Sequence, residues 1–392
     1  MEKKKSINVW ITGLTSLFTD ISSEMVYPII SLYIKALGGG AAVLGLIEGL
    51  AESTASLLKV FSGAIADKVG KRKPLAISGY SLSAIGKFLF YLARSWAWVL
   101  AGRVVDRIGK GTRTAPRDAL IAESIDTSRR GRAFGLHRSL DTAGAVVGIL
   151  IAYFILRYLN PYKGNLHAMI PAFRTILLFS LIPAIIGVVI LFFAVETGTG
   201  KKQRKLPLHW KAFKTFDVRL KAVLIIAFVF TLGNSSNQFI LLRAVEPDLG
   251  FNPANVILLY LLYNIVYMMV SYPSGRLSDS VGRKPLIVVG FLTYGITYFI
   301  IALWPWLIWL AMVVYGLYSG MTEGVMKAFI SELSPQDKRA TVLGLYATIE
   351  GIGLLPASLI AGWLWASFDH SAPFFFGGAT GVLASLLLLV FI

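Results

Sequence analysis

Apolar runs of about 20 residues, long enough to cross a bilayer as helices, recur along this chain between short polar connections. They fall near 8–34, 43–66, 75–93, 96–122, 132–156 and 171–195, and again near 222–243, 255–276, 286–303, 306–332, 341–366 and 373–392. The pattern predicts an all-α membrane protein of twelve transmembrane helices. The longest polar connection, a basic linker over 196–221, divides it into six-helix bundles at 1–195 and 222–392.

Polar positions interrupt the apolar pattern most strongly between Gly102 and Asp118, where Arg103, Asp106, Arg107, Lys110, Arg113, Arg117 and Asp118 stand within one predicted span. A charge in hydrocarbon costs about 2.5–3.5 kcal/mol on the gentlest insertion scale unless it is paired or wetted. Positions 103, 106, 107, 110, 114 and 117 share one helix face, with Val104, Val105, Ile108, Thr112 and Ala115 on the others. Such a stripe lines a polar cavity, or else holds a bundle together through interhelical ion pairs. Pairing of Asp106 with Arg103 and Lys110 within the helix would leave Arg107, Arg113 and Arg117 over.

Other spans carry matching polar groups. In the first, Asp20 and Glu24 are one helical turn apart and Pro28 is expected to bend the helix. The two carboxylates can carry protons, or neutralise Arg103, Arg107 or Arg138. The second span presents Glu48, Glu52, Ser56, Lys59 and Gly63 as a stripe read as structural, with Glu52 and Lys59 bridging to other helices. The fifth adds Arg138 and Asp141. The second half places Gly233-Asn-Ser-Ser-Asn-Gln238 where the first has its acidic pair, so Asn234, Asn237, Gln238, Tyr260, Tyr263, Asn264 and Tyr267 become neutral recognition groups. Glu323 and Lys327 are spaced to pair along one helix.

Composition agrees with a membrane protein: 56% of the 392 residues are hydrophobic and 15% charged, with a mean hydropathy of +0.68. Absence of cysteine excludes thiolate chemistry and disulfides, and four scattered histidines offer no metal-ligand spacing. No nucleotide-binding glycine loop or nucleophile–base pair is present, so no enzyme, metal or cofactor is expected. The net charge of +17 lies in alternate connections. The positive-inside rule therefore makes those connections and both termini cytoplasmic, and argues for lipid rather than nucleic acid as the partner. The start Met-Glu-Lys-Lys-Lys runs into a long helix, read as a retained span with no signal peptide.

The halves repeat. Gly63-A-I-A-Asp67-K-V-Gly70-Lys71-Arg72-Lys73-Pro74 recurs as Gly275-R-L-S-Asp279-S-V-Gly282-Arg283-Lys284-Pro285, and Glu123, Arg130, Gly135, Asp141 and Gly144 recur as Glu332, Arg339, Gly344, Glu350 and Gly353. Gly63 is expected to admit a close helix neighbour, Asp67 to accept from facing amides, and Lys71 and Arg72 to bind Glu123 or Asp126.

This doubled G-x-x-x-D-K-x-G-K-R segment and the six-plus-six layout resemble the major facilitator superfamily. The resemblance implies a monomeric secondary transporter of the cytoplasmic membrane that rocks two bundles about a central small-molecule site. Gly63, Asp67, Gly70, Lys71, Arg72 and Glu123, with Gly275, Asp279, Gly282 and Arg283, look like the family's conformational latch. The fourth span resembles its R-x-x-x-G-x-G-x-A motif in two registers, from Arg103 or from Arg107, each with a cation where the family has glycine. Gly135, Gly144 and Gly148 match the start of its proton-antiporter motif, or mark ordinary close packing. T-D-I-S-S-E-M and G-K-G-T-R-T-A-P-R-D are similar to a prokaryotic permease subgroup that includes nickel-resistance and siderophore-export candidates.

The resulting expectation is proton-coupled export of a small charged or amphiphilic solute, powered by the proton gradient. Asp20, Glu24 and Asp141 would carry protons, and Arg103, Asp106, Arg107, Lys110, Arg138, Asn234, Asn237, Gln238, Tyr260 and Asn264 would form the relay and recognition set. The alternatives are a uniporter or importer of an organic anion, an exporter of a metal or metal chelate, and a non-transporting receptor.

Overall fold

The computed structural model describes residues 2–126, 129–159, 165–197, 213, 216–335 and 339–392, apart from the side chains of 2–6, 64, 67 and 340. These residues form helices and no strand. In order they are α1 Glu2–Val26, α2 Ile30–Ala36, α3 Ala41–Val69, α4 Lys73–Leu92, α5 Trp96–Glu123, α6 Arg130–Leu159 and α7 Ile170–Leu191, then α8 Val218–Gly233, α9 Gln238–Ala244, α10 Pro253–Val281, α11 Arg283–Leu303, α12 Ile308–Leu333, α13 Arg339–Ser367 and α14 Ala372–Phe391.

Ten segments among the described residues are long and apolar enough to span a membrane. The two further spans of the twelve-helix fold are α1 with α2, and α5, in which ionic side chains dilute the apolar run. Most of the linker over 196–221 lies outside the described residues.

Two interruptions shape the spans. Pro28 lacks a backbone donor, and the first span passes through a 3-10 turn, Tyr27–Ile29, between α1 and α2. The seventh span, expected as one helix, is broken at Asn234–Asn237 between α8 and α9. Short polar side chains compete with the backbone for hydrogen bonds there. Ser236 Oγ accepts from the Gln238 amide at 3.3 Å, and Asn237 Oδ1 accepts from the Tyr315 hydroxyl at 2.5 Å.

The chain forms two compact units, Met1–Gly38 with Leu50–Leu206, and Gly39–Gly49 with Pro207–Ile392. The first turns of α3 group with the second unit because of close packing there. A Cβ at Gly49 would meet the Leu355 carbonyl oxygen at 3.0 Å, and one at Gly45 would overlap that of Ser358.

Within the first unit α1 packs on α6 and α7, and α4 on α5 and α7. Within the second, α8 packs on α13 and α14, and α11 on α12 and α14. These are the same four pairings, displaced by one repeat. Left-handed glycines repeat with them: Gly38 (φ 82°) with Gly250 (φ 57°), and Gly70 (φ 70°) with Gly282 (φ 98°).

Glycine also sets the α4–α5 spacing. A Cβ at Gly86 would meet the Asp106 nitrogen at 2.6 Å, and one at Gly109 the Gly79 carbonyl oxygen at 2.5 Å. The backbones therefore touch, and the charged face of α5 is held rigidly against α4.

Candidate functional site

In the first unit, the ionic face of α5 meets α1, α3, α4 and α6. Glu52 of α3 sits between two guanidinium groups, 3.3 Å from Arg103 and 3.4 Å from Arg107, and Asp106 lies 3.9 Å and 3.6 Å from the same pair. Arg103 also packs over the Tyr27 ring, 5.5 Å from its centroid. Glu52, read from sequence as a structural bridge, is thus the anion that Arg103 and Arg107 share.

The expected Asp106–Lys110 pair does not form. Arg107 takes Asp106 instead, leaving Lys110 exposed and within electrostatic reach of Glu52 and Asp20. Arg117, which the sequence left over, pairs with its neighbour Asp118 at 2.8 Å.

Two residues outside the expected relay complete the cluster. Lys87 of α4, only 2% exposed, donates to Ser22 Oγ at 2.7 Å and Ser23 Oγ at 3.1 Å on α1. Arg113 of α5 stacks over the Tyr80 ring at 4.5 Å and donates to Ser83 Oγ. A lysine in the middle of an apolar run is the signal that would have exposed Lys87, because its charge has to be satisfied inside the bundle.

Asp20 is half-buried, with Arg113, Lys110, Arg117 and Lys87 as its cationic neighbours. Glu24, one turn on, is half-buried too. Asp141 lies 3.4 Å from His137 Nδ1, and the other ring nitrogen is 2.9 Å from Ser16 Oγ, which also meets the Tyr80 hydroxyl at 3.3 Å. His137 was absent from the expected set. Arg138 is exposed and electrostatically coupled to Asp141. Among the described residues no three His, Asp or Glu side chains converge as a metal site, which leaves the metal-exporter alternative without a ligand set.

The second unit is neutral where the first is ionic. Asn234 Nδ2 donates to the Tyr318 hydroxyl at 3.4 Å, Asn264 Nδ2 to the Tyr260 carbonyl at 2.8 Å, and Gln238 is fully buried. Tyr260, Tyr263 and Tyr267 stack along α10 with centroids 6.0 and 6.1 Å apart. Tyr294, Tyr298, Tyr315 and Tyr318, none singled out from sequence, extend this aromatic group. Tyrosines at helical spacing resemble ordinary core, so the pattern did not mark them.

Glu48 accepts from Ser236 Oγ at 2.9 Å, Glu350 from the Tyr346 hydroxyl at 2.5 Å, and Glu323 from the Tyr267 hydroxyl at 2.5 Å. Glu323 also stands 3.8 Å from Lys327, as their spacing suggested.

At the α3–α4 turn, Arg72 pairs with Glu123 at 3.2 Å, and Lys73 Nζ donates to the Phe192 carbonyl at 2.7 Å. At the α10–α11 turn, Arg283 pairs with Glu332 and lies 3.6 Å from Asp279, and Lys284 Nζ donates to the Leu389 carbonyl at 3.2 Å. Lys71 is exposed, and Arg72 alone makes the contact expected of the two. The Asp67 side chain lies outside the described residues. The expected close approach at Gly63 is also corrected: an added Cβ would sit an ordinary 3.5 Å from Ala115, whereas the tight contact is at Gly111, against Leu58 at 2.6 Å. Gly275 likewise has open space around it.

Comparison with known proteins follows the same lines. The family model described as Major Facilitator Superfamily matches residues 12–242 and 223–392. An uncharacterised MFS-type transporter of Methanocaldococcus jannaschii is 37% identical over 99% of this chain and 96% of its own. Multidrug resistance protein MdtH of Aeromonas hydrophila is 33% identical over 40% of each chain. The crystal structure of the nucleoside transporter NupG superposes with a TM-score of 0.81 over 98% of this chain and 99% of that one, at 14% identity. Matched by the family model over nearly its whole length, and by a relative at this identity, the chain belongs to the Major Facilitator Superfamily of multi-pass membrane transporters.

Proposed function

We propose that the protein is a proton-coupled secondary transporter of the cytoplasmic membrane, monomeric, with both termini cytoplasmic, that moves a small charged or amphiphilic solute by alternating access. The observation that carries the coupling is the ionic cluster of the first unit, in which Asp20 and Asp141 stand among Arg113, Lys110, Arg117, Lys87 and Arg138 on helices that cross the membrane. A carboxylate that trades a cation for a proton links a titration to a rearrangement. The energy source is the proton gradient, with no cofactor. The turns at Arg72 and Arg283, each tying a helix start to a carboxylate on another helix, serve as latches that part during alternation.

Export is the direction that the partial likeness to MdtH supports. A second reading, cotransport of an organic anion, has one specific observation behind it: Arg113 carries no carboxylate partner within 4.0 Å among the described residues. Proteoliposomes with an imposed pH gradient and an internal pH dye test coupling and direction together. Added solutes from panels of organic anions and lipophilic cations should collapse the gradient in one polarity. A gradient that no solute collapses, in either polarity, would refute proton coupling.

A further inference from the structure

Arg113 is the cation that the cluster leaves over. Arg103 and Arg107 share Glu52 and Asp106, and Arg117 has Asp118. Arg113 is 6% exposed, yet its guanidinium has only the Tyr80 face and the Ser83 hydroxyl. Both contacts orient the planar fork without neutralising it. A buried guanidinium lacking an anion is costly, and the structure holds this one in place at that cost.

Asp20 faces it. Arg113 heads the cations that act on this carboxylate, but among the described residues Asp20 makes no ion pair within 4.0 Å and accepts no hydrogen bond. The remaining charged groups around Asp20 are Lys110 and Arg117 of α5, Lys87 of α4 and Asp141 of α6. A carboxylate and a guanidinium that face each other without closing leave room between them for a small anionic group.

We propose that Arg113, flanked by Lys87 and Lys110, is the docking point for an anionic oxygen group of the transported solute, a carboxylate or phosphate, which competes with Asp20 for that guanidinium. When the solute's anion occupies Arg113, Asp20 loses its main counter-charge and takes a proton from the aqueous phase. Solute and proton then bind together, which makes the coupling cotransport. This inference rests on the first unit being the proton-coupled centre, and it favours the organic-anion reading over export.

The test uses the purified full-length protein with benzoate and inorganic phosphate as anionic probes and tetraphenylphosphonium as the cationic control. Thermal midpoints give binding, and a pH indicator in weak buffer gives proton uptake. One anionic probe should raise the midpoint and draw protons from solution, and which one does so distinguishes carboxylate from phosphate. Arg113→Gln should weaken that binding tenfold or more, while Arg113→Lys should recover part of it. Asp20→Asn, which leaves Arg113 in place, should bind the probe without proton uptake and with an affinity independent of pH.

Unchanged affinity in Arg113→Gln, stabilisation by the cationic control alone, or no response to either anion would overturn the anion site and leave proton coupling intact. Anion binding by the parent protein with no proton uptake would overturn the exchange with Asp20, and would remove proton coupling along with it.

Discussion

Glu52 on α3 and Asn264 on α10 occupy the same place in the repeat, and so do Lys87 and Tyr298, Asp106 and Tyr315, and Arg113 and Thr322. Asp20 and Glu24 correspond to Leu232 and Ser236. The helix pairings are nevertheless the same in both units. Asp141 meets His137 one turn back, and its counterpart Glu350 meets Tyr346, which stands where the first unit has His137. A neutral, tyrosine-rich lining therefore satisfies this backbone as well as an ionic one does. Replacing buried ion pairs by well-packed neutral groups is often neutral or stabilising. The fold does not need the charges of the first unit, so their presence there is a matter of mechanism.

The sharpest way to break this comparison is at Asp20. Asp20→Asn should reduce proton-driven transport in proteoliposomes to the protein-free baseline while leaving the thermal midpoint in place, since Asp20 has no ion pair to lose. Retained transport would remove Asp20 from the mechanism. Next comes Glu52→Gln, which strands Arg103 and Arg107 with Asp106 alone and should lower stability by about 3–5 kcal/mol. The matching change in the second unit, Asn264→Ala, should cost about 1 kcal/mol. Equal losses in thermal or denaturant unfolding would mean that the two linings carry similar loads.

The latches give a smaller difference. Arg72 is buried and its pair with Glu123 is only partly wetted, whereas Arg283 and Glu332 are more exposed. Arg72→Ala should cost about 1–2 kcal/mol, and Arg283→Ala about 0–1 kcal/mol, read as unfolding midpoints. The smallest effect is expected at Asp248, in the connection after α9. Hydrogen bonds from Arg243, at 2.7 and 2.5 Å, hold its carboxyl below the usual aspartate range. The stability this adds is present above the unfolded aspartate pKa and fades as the pH falls through the depressed folded value. The midpoint gap between the parent and Asp248→Asn should therefore be open at neutral pH and close in acid. A gap that widens in acid would contradict the pairing.

Much of the architecture was legible because it is written in period and repeat. Apolar runs located the spans, Pro28 its bend, and the doubled glycine-rich turns the two units. Charge told that α5 needed partners but not which ones. Glu52 lies on another helix, and only the approach of α3 to α5 at Gly111 brings it between Arg103 and Arg107. Lys87 was a single cation in an apolar run, hidden because attention went to clusters. The tyrosines of α11 and α12 looked like core, and their role as the neutral counterpart of an ionic face emerges only when the units are compared position by position. The break at Asn234–Asn237 was visible as composition, but not as the end of a helix.

The α3–α4 turn also bears on how the gene for this chain diverged after doubling. Counted back from the prolines, Arg72 matches Arg283 and Lys73 matches Lys284, and each matched pair makes the same contact. Excising Lys71 would turn Asp67-Lys-Val-Gly-Lys-Arg-Lys-Pro74 into Asp-Lys-Val-Gly-Arg-Lys-Pro, one letter from Asp279-Ser-Val-Gly-Arg-Lys-Pro285. Lys71 is thus the extra letter between the two copies, a surface residue spliced into a conserved phrase. Residues transplanted from one half to the other keep their meaning only when that letter is skipped in the count.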